Sequence, residues 1–357
     1  MRIAVLGVGL IGGSIGLAAR ERARAEVVGW GPRRKTLETA LALGAVDRVA
    51  PNVEDAVADA DAVFACAPVE LLPELVAQAL AAAGPDTVVT DAGSTKRNLV
   101  DAIDDERFVG GHPIAGAETA GVENARVDLF DGAAWYLTPR ADTSGILFER
   151  LHRLLVAFGA RPSAIDAQTH DRMLAAVSHL PHVLANVLVT QAASDVADDE
   201  PLPRTGPSFR DVTRVAGANS EVWTGIYLSN RDAIAYEVDA VIERLAAVAD
   251  WLRSADAEAL RTWNDSARED RRRLLEAGLQ GGSVTEMRLS VPNRPGIVAQ
   301  VALALGKAGV NIADMALSPA PDMRSGSMTL WIAGDDDAER AKQLIVELGF
   351  PAAVVEA

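Results

Sequence analysis

Through the first 113 residues, short apolar runs of β type alternate with stretches whose apolar positions recur at helical spacing. The runs are IAVL (3–6), EVVGW (26–30), DAVFACAP (61–68), TVVTDAG (87–93) and FVGGHP (108–113), with helices expected over 13–22, about 70–82 and from about 95. Strands alternating with helices predict an α/β fold with a doubly wound parallel sheet of Rossmann type. Ligands of such sheets sit beyond the carboxyl ends of the strands. From about 166 the pattern changes to long helices. HDRMLAAVSHLPHVLANVLVTQAASD (170–195) keeps helical periodicity broken only by Pro181. A proline there removes a hydrogen bond and clashes one turn back, which predicts a kink at SHLPH (178–182). Ile234, Val238, Val241, Leu245, Val248 and Leu252 recur with 4,3,4,3,4 spacing. That seam is close to coiled-coil periodicity and predicts packing on another helix, in an intertwined dimer or in an internal bundle. GLQGGS (278–283) reads as a linker. Beyond it, 285–291, 293–309, 310–318, 326–334, 336–349 and 352–357 read as βαββαβ, a ferredoxin-like split unit. Three modules are therefore expected: 1–164, an all-helical 165–281, and 284–357.

Composition narrows the classes. The chain has 357 residues, enough for two or three domains with cores of their own. Its net charge of −16 argues against nucleic-acid binding, and an anionic substrate would need local arginines to overcome that field. Cys66 is the only cysteine, which excludes internal disulfides and cysteine-based zinc clusters and suits a reducing cytoplasm. No apolar run reaches the roughly 20 residues that span a bilayer, and the start of the chain carries no signal-peptide pattern.

GVGLIG (7–12) lies between a strand and a helix, the context that makes GxGxxG a dinucleotide-binding turn. Gly7 permits the turn, Gly9 lets the backbone approach a pyrophosphate, and Gly12 lets helix and strand pack closely. Leu10 and Ile11 lie within the same turn, and Ala67 and Pro68 end a neighbouring strand. The second strand ends in GWGPRRK, where such folds usually place an acid for the ribose 2′-hydroxyl. Gly31 fills that slot and Arg33 and Arg34 follow, which favours NADP over NAD, since a guanidinium can grip a 2′-phosphate. Solvated arginines at a helix start are the alternative. DAGSTK (91–96) and GGHPIAG (110–116) fall at strand ends. Taken singly, Ser94 reads as a helix cap and His112 as a loop histidine. His179 and His182, at i and i+3, lie close to one helix face, as do Arg210 and Arg214 at i and i+4. A zinc site at SHLPH would need a third ligand, and no further His or Cys clusters nearby; no metal is expected.

GVGLIGGS (7–14), DAGSTK (91–96), GGHPIAGAETAG (110–121), SHLPH (178–182) and FRDVTRVAG (209–217), in this order, make the chain resemble the prephenate/arogenate dehydrogenase family of tyrosine biosynthesis over essentially its whole length. NRPGIVAQV and GVNI in the tail resemble the amino-acid-binding loops of ACT modules. The resemblance implies oxidative decarboxylation of a cyclohexadienol with hydride transfer to NAD(P). It implies His112 as the group that accepts the C4 hydroxyl proton, with Ser94 orienting it and bonding substrate. Arg214 would hold the ring carboxylate with Arg210 in support, and SHLPH would turn His182 and His179 toward the substrate, with His182 meeting its side chain. A homodimer is implied, with L-tyrosine as effector bound near Asn293, Gly296 and Asn311. Prephenate is favoured over arogenate, for which Glu118 could supply a carboxylate. A β-hydroxyacid dehydrogenase, the nearest rival, depends on a lysine from its helical domain, and this chain has none between Lys96 and Lys307. A non-catalytic nucleotide and amino-acid sensor is the rival from another class; Ser94, His112, His182 and Arg214 all being present argues against it.

Overall fold

The computed structural model describes residues 1–116, 119–194, 204–277, 284–292, 294, 297–320 and 325–355. They form two compact units, one of residues 1–190 and 215–241, the other of 191–214 and 242–357.

An eight-stranded sheet of order β3-β2-β1-β4-β5-β6-β7-β8 organises the first unit. Its strands are β1 (Arg2–Leu6), β2 (Glu26–Trp30), β3 (Arg48–Val49), β4 (Ala62–Ala65), β5 (Val88–Asp91), β6 (Phe108–Pro113), β7 (Ala134–Thr138) and β8 (Arg161–Ala164). Successive residues of β1 serve opposite cores: Ile3 and Val5 pack with Ile15, Phe64 and Phe158, whereas Ala4 and Leu6 pack with Val28, Val63 and Val76. Burial on both faces is why these strands read as unbroken apolar runs. The first six strands are parallel neighbours, but β7 runs antiparallel to β6, with His112 opposite Tyr136. The strands expected up to residue 113 are thus parallel, and the antiparallel strand lies beyond them. A parallel return needs a crossover of helix length, and between β6 and β7 the described residues hold only the 3-10 turn Val122–Asn124.

A continuous helix, Ala167–Ser194, follows. Asp166 caps it by accepting from the Thr169 N–H at 2.8 Å. The break expected at SHLPH takes the form of a π-helical turn, Ala175–His179, directly before Pro181. Pro181 has no N–H to give to the preceding turn, and a wider turn absorbs the mismatch at the cost of one extra residue. The helix is also long and apolar enough to cross a bilayer by length and composition alone, which the proline-interrupted pattern had not suggested. His170, Asp171, His179 and His182 lie buried along it. Helices Ser220–Ser229 and Arg231–Arg253 come next. On the latter Ile234 is buried, but Leu245 and Leu252 are 58% and 63% exposed, so the apolar seam lacks a full covering in a single chain.

The second unit contains helix Pro207–Thr213, helix Ala257–Ala277 and a four-stranded antiparallel sheet of order β10-β11-β9-β12. These strands are β9 (Val284–Pro292), β10 (Ile312–Pro319), β11 (Ser325–Ala333) and β12 (Ala352–Val354). With helices Ile297–Lys307 and Asp335–Glu347 the order is βαββαβ, around a core that includes Met287, Leu289, Val301, Leu305, Leu330 and Ile345.

In the first unit, one polar cluster sits inside the sheet at the carboxyl end of β5. Asp91 and Lys96 form an ion pair with no side-chain exposure. Asp91 also accepts from the N–H groups of Gly93 (2.8 Å) and Gly111 (2.9 Å), and the Lys96 ammonium donates to the Gly111 carbonyl at 2.8 Å. Burial pushes the lysine pKa down while Asp91 pulls it back. Removing one partner of such a pair strands a buried charge, which costs about 3–5 kcal/mol. Lys96→Met should therefore lower the free energy of unfolding by about that much in a urea titration; an unchanged midpoint would mean the pair does not anchor this part of the fold.

Candidate active site

Two sites take shape at the carboxyl ends of the parallel strands. The first is a cleft of about 370 Å³ beyond β1, β2 and β4, lined by Gly7, Gly9, Trp30, Gly31, Arg33, Ala67 and Pro68 among others. Gly7 has φ +99°, and a Cβ on it would collide with the Cys66 carbonyl; one on Gly12 would collide with the Gly7 carbonyl. Gly9 faces open space, with nothing within 4 Å of where its Cβ would stand. It precedes helix Leu10–Ala23, whose first turn has no side-chain cap and no acid, so unpaired N–H groups are left for an anion. Leu10 and Ile11 are partly buried against the core below. A dinucleotide fits these constraints: bare backbone where the pyrophosphate approaches, and an open slot at Gly31. Arg33 borders the slot, whereas the Arg34 guanidinium is turned along its own helix to Glu38 at 2.9 Å and is 93% exposed on its side chain.

The second site centres on His112, near the end of β6. It is buried, and its Nδ1 lies 2.9 Å from Nε2 of His170. His170 Nδ1 in turn lies 2.8 Å from Asp171 Oδ1. Asp171 further accepts from the backbone N–H groups of Lys96 (2.7 Å) and Arg97 (2.9 Å) at the start of helix Arg97–Ala102. Among the described residues, His112 Nε2 has no hydrogen-bond partner. Burial, and after it the Lys96 cation, hold the His112 pKa well below the usual imidazole value. The ring is therefore neutral at physiological pH, as an acceptor of protons must be at the outset. Ser94 is half-buried in the loop between β5 and the next helix, but the residue capping that helix is Lys96, and the group that meets His112 is His170. Sequence patterning had not singled out His170 or Asp171.

SHLPH places its two imidazoles in different surroundings. His179 is buried with Nδ1 3.2 Å from the Asn230 amide nitrogen, and burial lowers its pKa to about 4. Asn230 donates here, so the His179 proton sits on Nε2; the same amide also bonds the Asp171 carbonyl at 2.7 Å. His182 stacks flat on Trp223, with centroids 3.6 Å apart and 6° between planes. Its Nδ1 meets the Tyr227 hydroxyl and, at 3.3 Å, the Asn186 amide nitrogen. Both neighbours can donate, which leaves the His182 proton on Nε2. The Val215 backbone lies close enough to offset part of the burial that depresses this pKa, but no group reaches Nε2 with hydrogen-bonding geometry. The unit thus presents an imidazole acceptor at His112 and a buried, unpartnered imidazole N–H at His182. Trp223, Tyr227 and Asn230 come from sequence some 40 to 50 residues downstream of their partners, and no local pattern announces them.

Arg210 is exposed on helix Pro207–Thr213 of the second unit, and Arg214, also exposed, opens the 3-10 turn that follows. Glu118 lies outside the described residues. Among the described residues no group of three or more His, Cys, Asp or Glu is placed to hold a metal ion.

Comparison with known proteins bears on both sites. The family model of the prephenate dehydrogenase nucleotide-binding domain matches residues 15–163, and that of the prephenate dehydrogenase dimerization domain matches 166–265. A prephenate dehydrogenase of Bacillus subtilis is 30% identical over 96% of this chain and 95% of its own length. One from Lactococcus lactis is 29% identical over 96% and 97%. Among solved structures, the prephenate dehydrogenase of A. aeolicus in complex with hydroxyphenyl propionate and NAD+ aligns with a TM-score of 0.73 at 27% identity, over 77% of this chain and 98% of that one. Synechocystis arogenate dehydrogenase aligns with a TM-score of 0.67 at 26% identity, over 77% and 100%.

Proposed function

The chain belongs to the prephenate dehydrogenase family, and from that premise we propose that it converts prephenate to 4-hydroxyphenylpyruvate by NAD(P)-dependent oxidative decarboxylation, in L-tyrosine biosynthesis. The observation that carries the reading is the neutral, buried His112 with its Nε2 open. When bound in the glycine-rich cleft, the nicotinamide supplies an acceptor for the hydride on C4. His112 Nε2 takes the proton of the C4 hydroxyl as the carbonyl forms. The bond from C1 to the ring carboxylate then breaks, its electron pair enters the ring, CO2 departs, and the oxygen recovers a proton as a phenol. Aromatisation supplies the driving force, so a weak base suffices. The Nε2–H of His182 suits the anionic end of the pyruvyl side chain, while His179, already engaged with Asn230, supports the wall. Ser94, in the loop after β5, is assigned a hydrogen bond to substrate. On the match to FRDVTRVAG alone, Arg214 is assigned the ring carboxylate, with Arg210 in support.

Arogenate is the second reading, favoured by the name of the Synechocystis relative. It differs in carrying an ammonium where prephenate has a keto group. Initial rates for both substrates with both cofactors separate the two, and activity on neither would defeat the proposal. His112→Asn should cut turnover by roughly 10²–10⁴-fold with substrate still bound; near-normal turnover would mean another residue takes the proton.

For the cofactor we propose a preference for NADP over NAD. The support is Arg33 beside an acid-free slot at Gly31, whereas the exposed Arg34, paired with Glu38, contributes less. A side chain at Gly31 would find its nearest neighbour, Leu37, at an ordinary 3.8 Å. Gly31→Asp should thus be accommodated and shift preference toward NAD, and Arg33→Ala should raise KM for NADP alone. A wild-type preference for NAD in paired rate measurements would contradict this.

The modules 1–164, 165–281 and 284–357 are proposed as nucleotide-binding, helical dimerisation and ACT regulatory domains. The incompletely covered 234–252 seam supports a homodimer, and the single cysteine supports a cytoplasmic location. The βαββαβ order of the tail supports the ACT assignment. Asn311 there is exposed, its carbonyl accepting from the Ala333 N–H at 3.0 Å, while Asn293 and Gly296 lie outside the described residues. L-Tyrosine should bind the tail and lower activity by favouring one arrangement of the dimer. Titrating tyrosine against activity in the full chain and in a version ending near residue 281 should show inhibition in the first only. Equal sensitivity would place inhibition at the active site.

A further inference from the structure

The proton-accepting atom of His112 is chosen for it by residues that do not touch the substrate. We propose that Asp171 and His170 act as positioning residues that lock His112 in the Nδ1–H tautomer and so keep its Nε2 lone pair available, an assignment that rests on the role given to His112 above. A neutral imidazole has one N–H and one bare nitrogen, and which is which depends on the bond made by the other nitrogen. The chain of bonds fixes the answer from one end. Asp171 is an acceptor at both oxygens, holding the N–H groups of Lys96 and Arg97. His170 must therefore direct its Nδ1–H to Asp171 Oδ1, 2.8 Å away. In the neutral ring its Nε2 is then bare and can only accept. His112 Nδ1, 2.9 Å from that atom, must be the donor, which strips the proton from His112 Nε2.

Geometry leaves little room for the reverse order. His170 is fully buried, with the rings of His112 and Tyr136 packed edge-on at 5.1 and 5.8 Å between centroids. Asp171 is held in turn by a helix start and by Asn230 on its carbonyl. Neither residue can turn away without breaking contacts on β6, β7 or helix Arg97–Ala102. In the other tautomer His112 would offer an N–H to the C4 hydroxyl and could not take its proton, and a wrongly tautomerised base costs roughly 10⁴-fold in turnover in the serine-protease triad.

The chain has five histidines, so 15N labelling of histidine gives a small spectrum in which the His112 signals are those missing from His112→Asn. At pH 8, above the ordinary imidazole range, the resting wild-type protein should show the His112 proton on Nδ1 with a bare Nε2. A His112 proton on Nε2 overturns the inference whatever the enzyme's substrate proves to be. In His170→Phe the His112 proton should move to Nε2, and kcat should drop by on the order of 10²-fold or more with KM little changed. His170→Gln, whose amide oxygen can accept from Nδ1–H, should recover most of that loss. Wild-type kcat in a folded His170→Phe protein would also overturn the inference. Should that variant not fold, the wild-type spectrum decides by itself. Because the spectrum needs no substrate, an Nδ1–H tautomer in a protein inactive on prephenate and arogenate would leave the lock standing and defeat the assigned activity instead.

Discussion

The buried pair of Asp91 and Lys96 is the constraint on which the catalytic half of the molecule depends. A lysine and an aspartate with no exposure are tolerable inside a sheet only if each is fully bonded, and meeting that condition dictates the local structure. The carboxylate draws in the N–H groups of Gly93 and Gly111, and the ammonium takes the Gly111 carbonyl, so the loop after β5 is tied to β6 one residue before His112. The close approach requires glycine at 111, where a side chain would press on the Asp91 carbonyl and the Thr90 hydroxyl. From the same lysine the backbone N–H reaches Asp171, which starts the chain of bonds to His170 and His112. The cation also helps to keep His112 neutral. One buried pair thus sets the position, the bonding and the charge of the proposed base.

The helix Ala167–Ser194 supplies the other imidazoles of the proposed site, and the irregularity in it brings them inside. A straight helix would carry its faces forward at 3.6 residues per turn. The π turn before Pro181 inserts a residue, so His170 and Asp171 on one side of it and His179 and His182 on the other all end up buried. Each imidazole then receives a different partner: a histidine, an asparagine amide, or a tyrosine hydroxyl beside a flat tryptophan. Chemically similar side chains become an acceptor, a wall and a donor by bonding alone.

Much of this was legible in the sequence because it is local. The alternation of apolar runs showed β1, β2, β4, β5 and β6 but not the two-residue β3, GVGLIG between strand and helix gave the dinucleotide turn, and Pro181 marked the helix irregularity. What escaped was set by distance. His170 and Asp171 sit in an ordinary helical pattern, and their importance comes from β6 and the loop after β5, some 60 to 75 residues earlier. Trp223 and Tyr227 gain meaning only once helix Ser220–Ser229 lies against His182. Lys96 was visible inside DAGSTK, but a lysine beside a helix start reads as solvated until its burial is known. Arg33 and Arg34 looked equivalent, yet Arg33 stands before the helix in extended backbone, whereas Arg34 is its first residue and reaches one turn along it to Glu38. The antiparallel β7 could not be read from apolar content, since direction depends on the length of the connection.

In the proposed reaction His112 Nε2 receives the proton of the substrate's ring hydroxyl while His170 holds the opposite nitrogen. A crystal structure of the full chain with NADP and 4-hydroxyphenylpyruvate tests it most directly. The phenolic oxygen should lie within about 2.6–3.2 Å of His112 Nε2, with the His112–His170 and His170–Asp171 bonds intact. A phenolic oxygen seated away from His112, or a His112 ring turned off His170 when the ligand is bound, would contradict it.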